Sequence, residues 1–192
     1  NVSIDAEHNT ISLDQRDFIE KTWYKWRDVL GPSRAGGSRG KPMPSLPARS
    51  DLESLTSRQA LAANKPSREL TQQYKQCVGD LGWYANRTRW DLLLTYNLFA
   101  SALDSCDEEL LQRCIETHAF AFSTAGQQVV YSKSTYPHPV CFADANHSDY
   151  RSQTGFCCYL ANAPVIACSR RQKCVTLSSC EAELVALSAA TC

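Results

Sequence analysis

The hydrophobic period of this chain changes near residue 119, and that change governs what it can fold into. Between residues 71 and 117 apolar side chains recur at helical spacing. Cys77, Val78, Leu81, Trp83 and Tyr84 make one run and Leu92 to Leu103 a second. Asp107, Glu108 and Glu109 suit the positive start of a third helix, which carries Leu110, Leu111, Cys114 and Ile115. From Ala119 the pattern predicts short strands. Phe120-Ala121-Phe122 and Val129-Val130-Tyr131 flank a Gly-containing turn, followed by Val140 to Asp144, Gly155 to Leu160 and Val165 to Ser169. After Thr176 the period is helical again as far as Cys192. Tyr84, Trp90 and Tyr96, set at this spacing on helices, read as core rather than as a platform for stacking bases.

Upstream, Val2 to Ile4 and Thr10 to Leu13 are apolar-polar runs around His8-Asn9, and Asn at that centre predicts a hairpin. Asp14 then supplies an N-cap for a helix through Phe18, Ile19, Thr22, Trp23 and Trp26, which Gly31-Pro32 stops. Residues 31–49 are rich in Gly and Pro, contain Arg34, Arg39, Lys41 and Arg49, and hold no acid. Such a stretch buries too little apolar surface to fold alone. It reads as a solvated linker or as a basic strap along a phosphate backbone. The segment from there to Leu70 is weakly constrained. The expected architecture is therefore α+β: a hairpin and helix over 1–30, a basic linker over 31–70, a mostly helical region over 71–137, and over 138–192 a three-stranded antiparallel sheet with one helix.

Composition limits the function classes. The 20 basic and 20 acidic residues give zero net charge, and 43% of residues are hydrophobic, so a charged tail or a wholly disordered chain is excluded. No apolar run reaches the roughly eighteen residues of a membrane span, and the first residues lack a signal-peptide pattern. The expectation is a soluble, intracellular chain without a membrane partner. Ten cysteines are present, none before Cys77, with no Cys-x-x-Cys and no zinc-like Cys/His spacing. They read as reduced and mostly buried thiols, with Cys157 and Cys158 facing opposite sides of a strand.

Two carboxylates carry the sharper chemistry. At 3.6 residues per turn, Glu183 falls among Leu187, Ala186 and Ala190, while Glu181 points to the far side. A carboxylate on an apolar seam needs a cation or a hydrogen-bond donor. Asp144 closes the run Val140-Cys141-Phe142-Ala143-Asp144, on the face of Val140 and Phe142. A strand-end carboxylate and a helix carboxylate that converge call for a divalent cation, and oxygen ligands favour Mg²⁺.

Phe142-Ala143-Asp144-Ala145, Arg151-Ser152-Gln153-Thr154-Gly155 and Leu177-Ser178-Ser179-Cys180-Glu181-Ala182-Glu183-Leu184 resemble the ribonuclease H domain of Ty1/copia-type retrotransposon Pol polyproteins. Tyr74-x-x-x-Val78-Gly79-x-Leu81 and Ala85-Asn86-Arg87-Thr88-Arg89-Trp90-Asp91 resemble the segment between polymerase and nuclease, and Thr10-Ile11-Ser12-Leu13-Asp14-Gln15 the tail of the reverse transcriptase. The resemblance implies the N-terminal half of a ribonuclease H-like sheet and Mg²⁺-dependent cleavage of RNA in an RNA–DNA hybrid, with Mn²⁺ as a substitute. In that chemistry two ions roughly 4 Å apart activate water and stabilise the leaving oxygen. Asp144 matches the first catalytic and metal-binding carboxylate and Glu183 the helix carboxylate. Arg34, Arg39, Lys41, Arg87, Arg89 and Arg151 are the candidate nucleic-acid contacts, and the rest of the polyprotein is the implied protein partner. The family's third metal-binding Asp follows this helix and the polymerase aspartates precede residue 1, so a truncated site is expected. Trp90 stands where Pro is usual, Asn146 where the second acid of Asp-Ala-Asp is usual, and Cys180 where Thr is typical. The alternatives are a fragment that binds nucleic acid without cleaving it, and a decayed element with no selected role.

Overall fold

A computed structural model describes residues 1–30, 45–57, 66–133, 138–148, 151–160 and 163–191. The chain divides into two compact units. One comprises Asn1 with Asp14–Gln127, and the other Val2–Leu13 with Gln128–Cys192. Helix and sheet are both present, in agreement with an α+β reading, and among the described residues the strands form two three-stranded antiparallel sheets. Among the described residues no helix is long and apolar enough to cross a membrane.

The first unit is helical. Helix α1 (Arg16–Trp26) runs into a 3₁₀ turn at Arg27–Leu30. It starts one residue later than an Asp14 cap implies, and Gln15 makes no side-chain cap bond. Asp14 still does capping work, because its Oδ1 accepts the Arg16 N–H at 2.9 Å and the Asn1 side-chain amide at 3.0 Å. Helix α2 (Arg49–Leu55) lies where the sequence is weakly patterned, and it is held by Leu52, 1% exposed. Helix α3 (Arg68–Ala85) is capped by Ser67 and buries Tyr74, Cys77, Val78, Leu81, Tyr84 and Ala85; of the run that the period predicts, Trp83 is the exception, 49% exposed. A 3₁₀ turn at Trp90–Leu92 leads into α4 (Leu93–Ala100). Gly82 lets α3 approach α4, since a Cβ there would stand 2.5 Å from Tyr96 Cε2.

Helix α5 (Glu108–Ser123) begins at Asp107, whose side chain accepts the Leu110 N–H at 2.8 Å. It corrects the expected strand at Phe120-Ala121-Phe122. Buried Cys114, His118 and Ala121 extend the helical period, and Phe122 packs against Trp23 and Tyr24 of α1 at 5.9 Å from each ring. Three alternating residues do not separate a strand from a helix.

The second unit joins the N-terminal hairpin to later strands. Strands β1 (Val2–Asp5) and β2 (Thr10–Leu13) turn at Asn9, φ 51°, where Asp5 Oδ1 accepts the N–H groups of Glu7 and His8. Strand β3 (Val129–Ser132) pairs with β2 in the register Ile11↔Tyr131, completing a sheet of order β1-β2-β3. The second sheet is the expected meander, β4 (Pro139–Asn146), β5 (Gln153–Leu160) and β6 (Ala163–Arg171), and α6 (Ser179–Thr191) packs on β4 and β5. The Tyr131 hydroxyl donates to the Pro164 carbonyl at 3.0 Å, tying β3 to β6.

The expectation of uniformly reduced thiols is corrected. Cys141 and Cys158 stand opposite one another on β4 and β5 and form a disulfide with Cα atoms 4.0 Å apart. Close Cα approach of this kind marks a non-hydrogen-bonded pair of an antiparallel ladder. Their partnership is a matter of strand register, which a list of cysteine positions does not reveal.

Candidate functional site

The site is built by fixing the first turn of α6 on the sheet. Ser178 and Glu181 form a variant of the capping box: the Ser178 hydroxyl accepts the Glu181 N–H at 3.2 Å, and Glu181 Oε2 reaches one residue further back to accept the Leu177 N–H at 2.7 Å. Glu181 is thereby occupied in starting the helix. Buried Gln172 donates from Nε2 to the Thr154 hydroxyl at 3.0 Å and to the Ala182 carbonyl at 2.9 Å, clamping β5 to α6. A buried hydroxyl pair, Ser152 and Thr176 at 2.8 Å, holds the approach to the helix.

Glu183 differs from its sequence-based placement. The buried residues of α6 are Ala182 and Ala186, while Leu184 and Leu187 are 61% and 54% exposed. The helix therefore seats its small residues against the sheet and leaves its leucines outside, so Glu183 is exposed rather than on a buried seam. Its position is nonetheless specific. Glu183 Oε2 accepts the backbone N–H of Ala145 at 3.1 Å, on the residue that follows Asp144. Among the described residues strand β4 pairs with β5 alone, so this amide finds a helix carboxylate in place of a further strand.

Asp144 is exposed, paired across the ladder with Gly155, which adds no side chain beside it. Glu183 thus reaches the residue that follows Asp144, and both carboxylates are reachable by solvent. Among the described residues no third His, Cys, Asp or Glu completes a metal-binding group with them.

The basic candidates separate clearly. Arg34, Arg39 and Lys41 lie outside the described residues. Arg87 is exposed, with its guanidinium 4.0 Å from the ring centre of the half-exposed Trp83. Arg151 is exposed on the segment leading into β5. Arg89 is corrected: it is 1% exposed and serves the interior. It makes a two-pronged pair with Asp91 at 3.0 and 2.8 Å, and reaches the Ala121 carbonyl at 3.2 Å and the Thr124 hydroxyl at 2.9 Å. A guanidinium with its donors spent on buried carbonyls has none to offer a phosphate. Tyr84, fully buried, is core as expected, and Tyr96 covers Gly82.

A second group of polar side chains, which the absence of zinc-like Cys/His spacing in the sequence did not announce, sits inside the helical unit. Cys77, Cys114 and His118 are all buried, with ligand atoms within 4.8 Å of one another. The sulfurs of Cys77 and Cys114 are 3.3 Å apart. His118 Nε2 lies 3.1 Å from the Cys77 carbonyl and Nδ1 2.8 Å from the Tyr84 hydroxyl. Burial pushes the Cys77 thiol well above its usual range, reinforced by Cys114 and opposed by His118. Burial likewise raises the Tyr84 phenol. The signal legible in the sequence was Cys114-x-x-x-His118, one helical turn apart on the same face. Cys77 joins them through helix packing alone. Compared with family models, with curated proteins and with solved structures, the chain has no match.

Proposed function

We propose that this chain is part of a copia-type retrotransposon Pol polyprotein and carries the Asp144–Glu183 half of a ribonuclease H site. The observation that supports this most directly is the Glu183–Ala145 hydrogen bond, which brings the helix carboxylate to the residue that follows Asp144. The motif order along the chain and the β4-β5-β6 meander followed by α6 agree with it.

The donors suit a hard divalent cation, since both side chains present exposed carboxylate oxygens. Asp144 and Glu183 would hold Mg²⁺, which supplies a polarised water and charge neutralisation at the scissile phosphate. In this reading the capping box and the Gln172 clamp keep α6 in register, so that Glu183 stays at the Asp144 end of β4. With two carboxylates the ion is weakly held and cleavage is slow. Recognition rests on the hybrid's shape, phosphates and 2′-hydroxyls rather than on base sequence.

The test is cleavage of a labelled RNA–DNA hybrid in Mg²⁺ or Mn²⁺ by the chain and by Asp144→Asn and Glu183→Gln. Slow cleavage of the RNA strand, abolished by either substitution, is the expected result. A second reading, retention of nucleic acid without cleavage, draws on the exposed Arg87 guanidinium over Trp83. Salt-dependent retention of the hybrid, unaffected by chelator and without cleavage, selects that reading. Neither cleavage nor retention removes both and leaves a decayed element.

A further inference from the structure

We infer that Cys77, Cys114 and His118 form a buried binding site for a thiophilic divalent ion, Zn²⁺ by chemistry, inside the helical unit. The inference is independent of the Asp144–Glu183 reading. It involves a different unit, different elements and a different class of donor.

The geometry is that of a prepared set. Cys114 and His118 are one turn apart on α5, and Cys77 faces them from α3. The three residues are 0%, 0% and 1% exposed. Two thiolates and one imidazole are the ligands that select zinc over magnesium or calcium, which require oxygen. No carboxylate belongs to the group. A tetrahedral Zn²⁺ with bonds of about 2.3 Å to each sulfur sets them roughly 3.8 Å apart. The present 3.3 Å separation therefore needs to open by only about half an ångström.

The imidazole is already oriented from several sides. One ring nitrogen faces a backbone carbonyl and the other a tyrosine hydroxyl, and Trp26 stacks on the ring at a centroid distance of 6.4 Å. A ligating histidine keeps one nitrogen for the ion and uses the other for such an outer hydrogen bond, which fixes its orientation. His118 needs to release only one of its two present partners. With three protein ligands, the fourth position is left to a small ligand such as water.

The ion replaces two thiol protons, which leave to solvent, and the two thiolates neutralise its charge. The raised pKa of the Cys77 thiol follows first from the burial of a negative sulfur. The bound ion supplies a cation beside it. Because the site is sealed by helix packing, loading accompanies folding.

The test uses the full chain under reducing conditions, with Zn²⁺ and the spectroscopic substitute Co²⁺ supplied alone during refolding. One equivalent of tightly held metal, thiolate-to-cobalt absorption and a raised melting temperature are expected. Cys114→Ser and Cys77→Ser should weaken binding by more than the roughly 10–100-fold that loss of an outer-shell partner costs. Cys174→Ser and Cys180→Ser, at exposed cysteines, should leave it unchanged. Absence of uptake by the reduced chain overturns the inference. So does uptake that survives Cys114→Ser or disappears in Cys174→Ser. Should the buried serine variants fail to fold, alkylation of the native sequence in partly denaturing urea decides. Zinc must slow labelling of Cys77 and Cys114 while leaving Cys174 and Cys180 as they were, and equal labelling with and without zinc overturns the site.

Discussion

The helical unit and the sheet unit are stabilised in different ways, and the difference bears on where chemistry resides in each. In the helical unit Tyr74, Leu81, Tyr84, Leu92, Phe99 and Leu110 are completely buried, and Arg89 and His118 are buried with hydrogen-bond partners. In the sheet unit the fully buried set is small, and Val2, Ile4, Phe142, Ile166 and Leu184 are exposed. Its strands are held by ladders, one disulfide and the Gln172 clamp. A well-packed interior can hold a sealed, soft-donor site. The sheet unit instead presents Asp144 and Glu183 at its surface.

The sharpest way to break this contrast is a matched pair of phenylalanine truncations. Phe99→Ala, at a fully buried side chain, should cost about 4 kcal/mol. Phe142→Ala, at a side chain 65% exposed, should cost no more than about 0.5 kcal/mol. Denaturant titration followed by hydrogen exchange at residue resolution assigns each loss to its unit. A large loss from Phe142→Ala would mean that the open face of β4 is covered in solution. Next comes Arg89→Met, expected to cost about 3 kcal/mol, because it strips the Ala121 carbonyl of a partner and removes the clamp on Thr124. If Arg89 bound phosphate instead, this variant would weaken hybrid retention while stability stayed unchanged.

The disulfide is the sheet unit's counterpart to that buried clamp. Cys141 and Cys158 are separated by 17 positions, and removing the cross-link by a Cys141→Ala/Cys158→Ala double substitution should cost about 2 kcal/mol. Exchange protection should fall in β4 and β5 and stay constant in α3 and α5. Equal loss in both units would show that they unfold as one and would void the separation on which the comparison stands.

Local pattern carried most of the element boundaries, and long-range pairing carried what it missed. The acidic start at Asp107 and the apolar run from Cys77 to Tyr84 are local, and helices form there, although α3 begins at Arg68, inside the stretch read as weakly constrained. The meander from β4 to β6 was legible because each turn joins neighbouring strands. Strand β3 was readable as a strand, but its pairing with β2 joins Val129 to Leu13 across the whole helical unit. No local signal announces such a pairing. At the candidate site, the choice of Glu183 over Glu181 came from helix geometry, yet the reason differs. Glu181 is spent on a capping box, and Glu183 is exposed with a backbone partner rather than buried on a seam. The leucines at 184 and 187 misled the seam assignment, since the alanines set how closely α6 packs. The Cys77–Cys114–His118 group was half legible, as a same-face pair on α5, and its third member depends on how α3 crosses that helix.

The smallest effect concerns acid, and it separates the units once more through one carboxylate in each. Burial alone pushes the Asp14 carboxyl upward, but the Arg16 N–H, the Asn1 amide, the N-terminal charge and the Arg16 guanidinium outweigh it and hold the group below the ordinary range. Asp5 is lowered first by the His8 backbone N–H and then by the His8 side chain, at a fully exposed turn. A carboxylate whose folded pKa is depressed contributes stability that is complete above its unfolded value. That contribution disappears as pH falls through the folded pKa, so both act below about pH 4. Asp14→Asn keeps an oxygen to accept the Arg16 N–H and removes only the titration. The helical unit of this variant should therefore lose less stability than the parent between pH 4 and pH 2, measured by denaturant midpoint. Asp5→Asn, at an exposed group where solvent screens the charge, should change the acid response of β1 and β2 by less. A larger acid effect from Asp5 than from Asp14 would mean that the hairpin turn, and not the buried cap of α1, is where this chain first responds to protons.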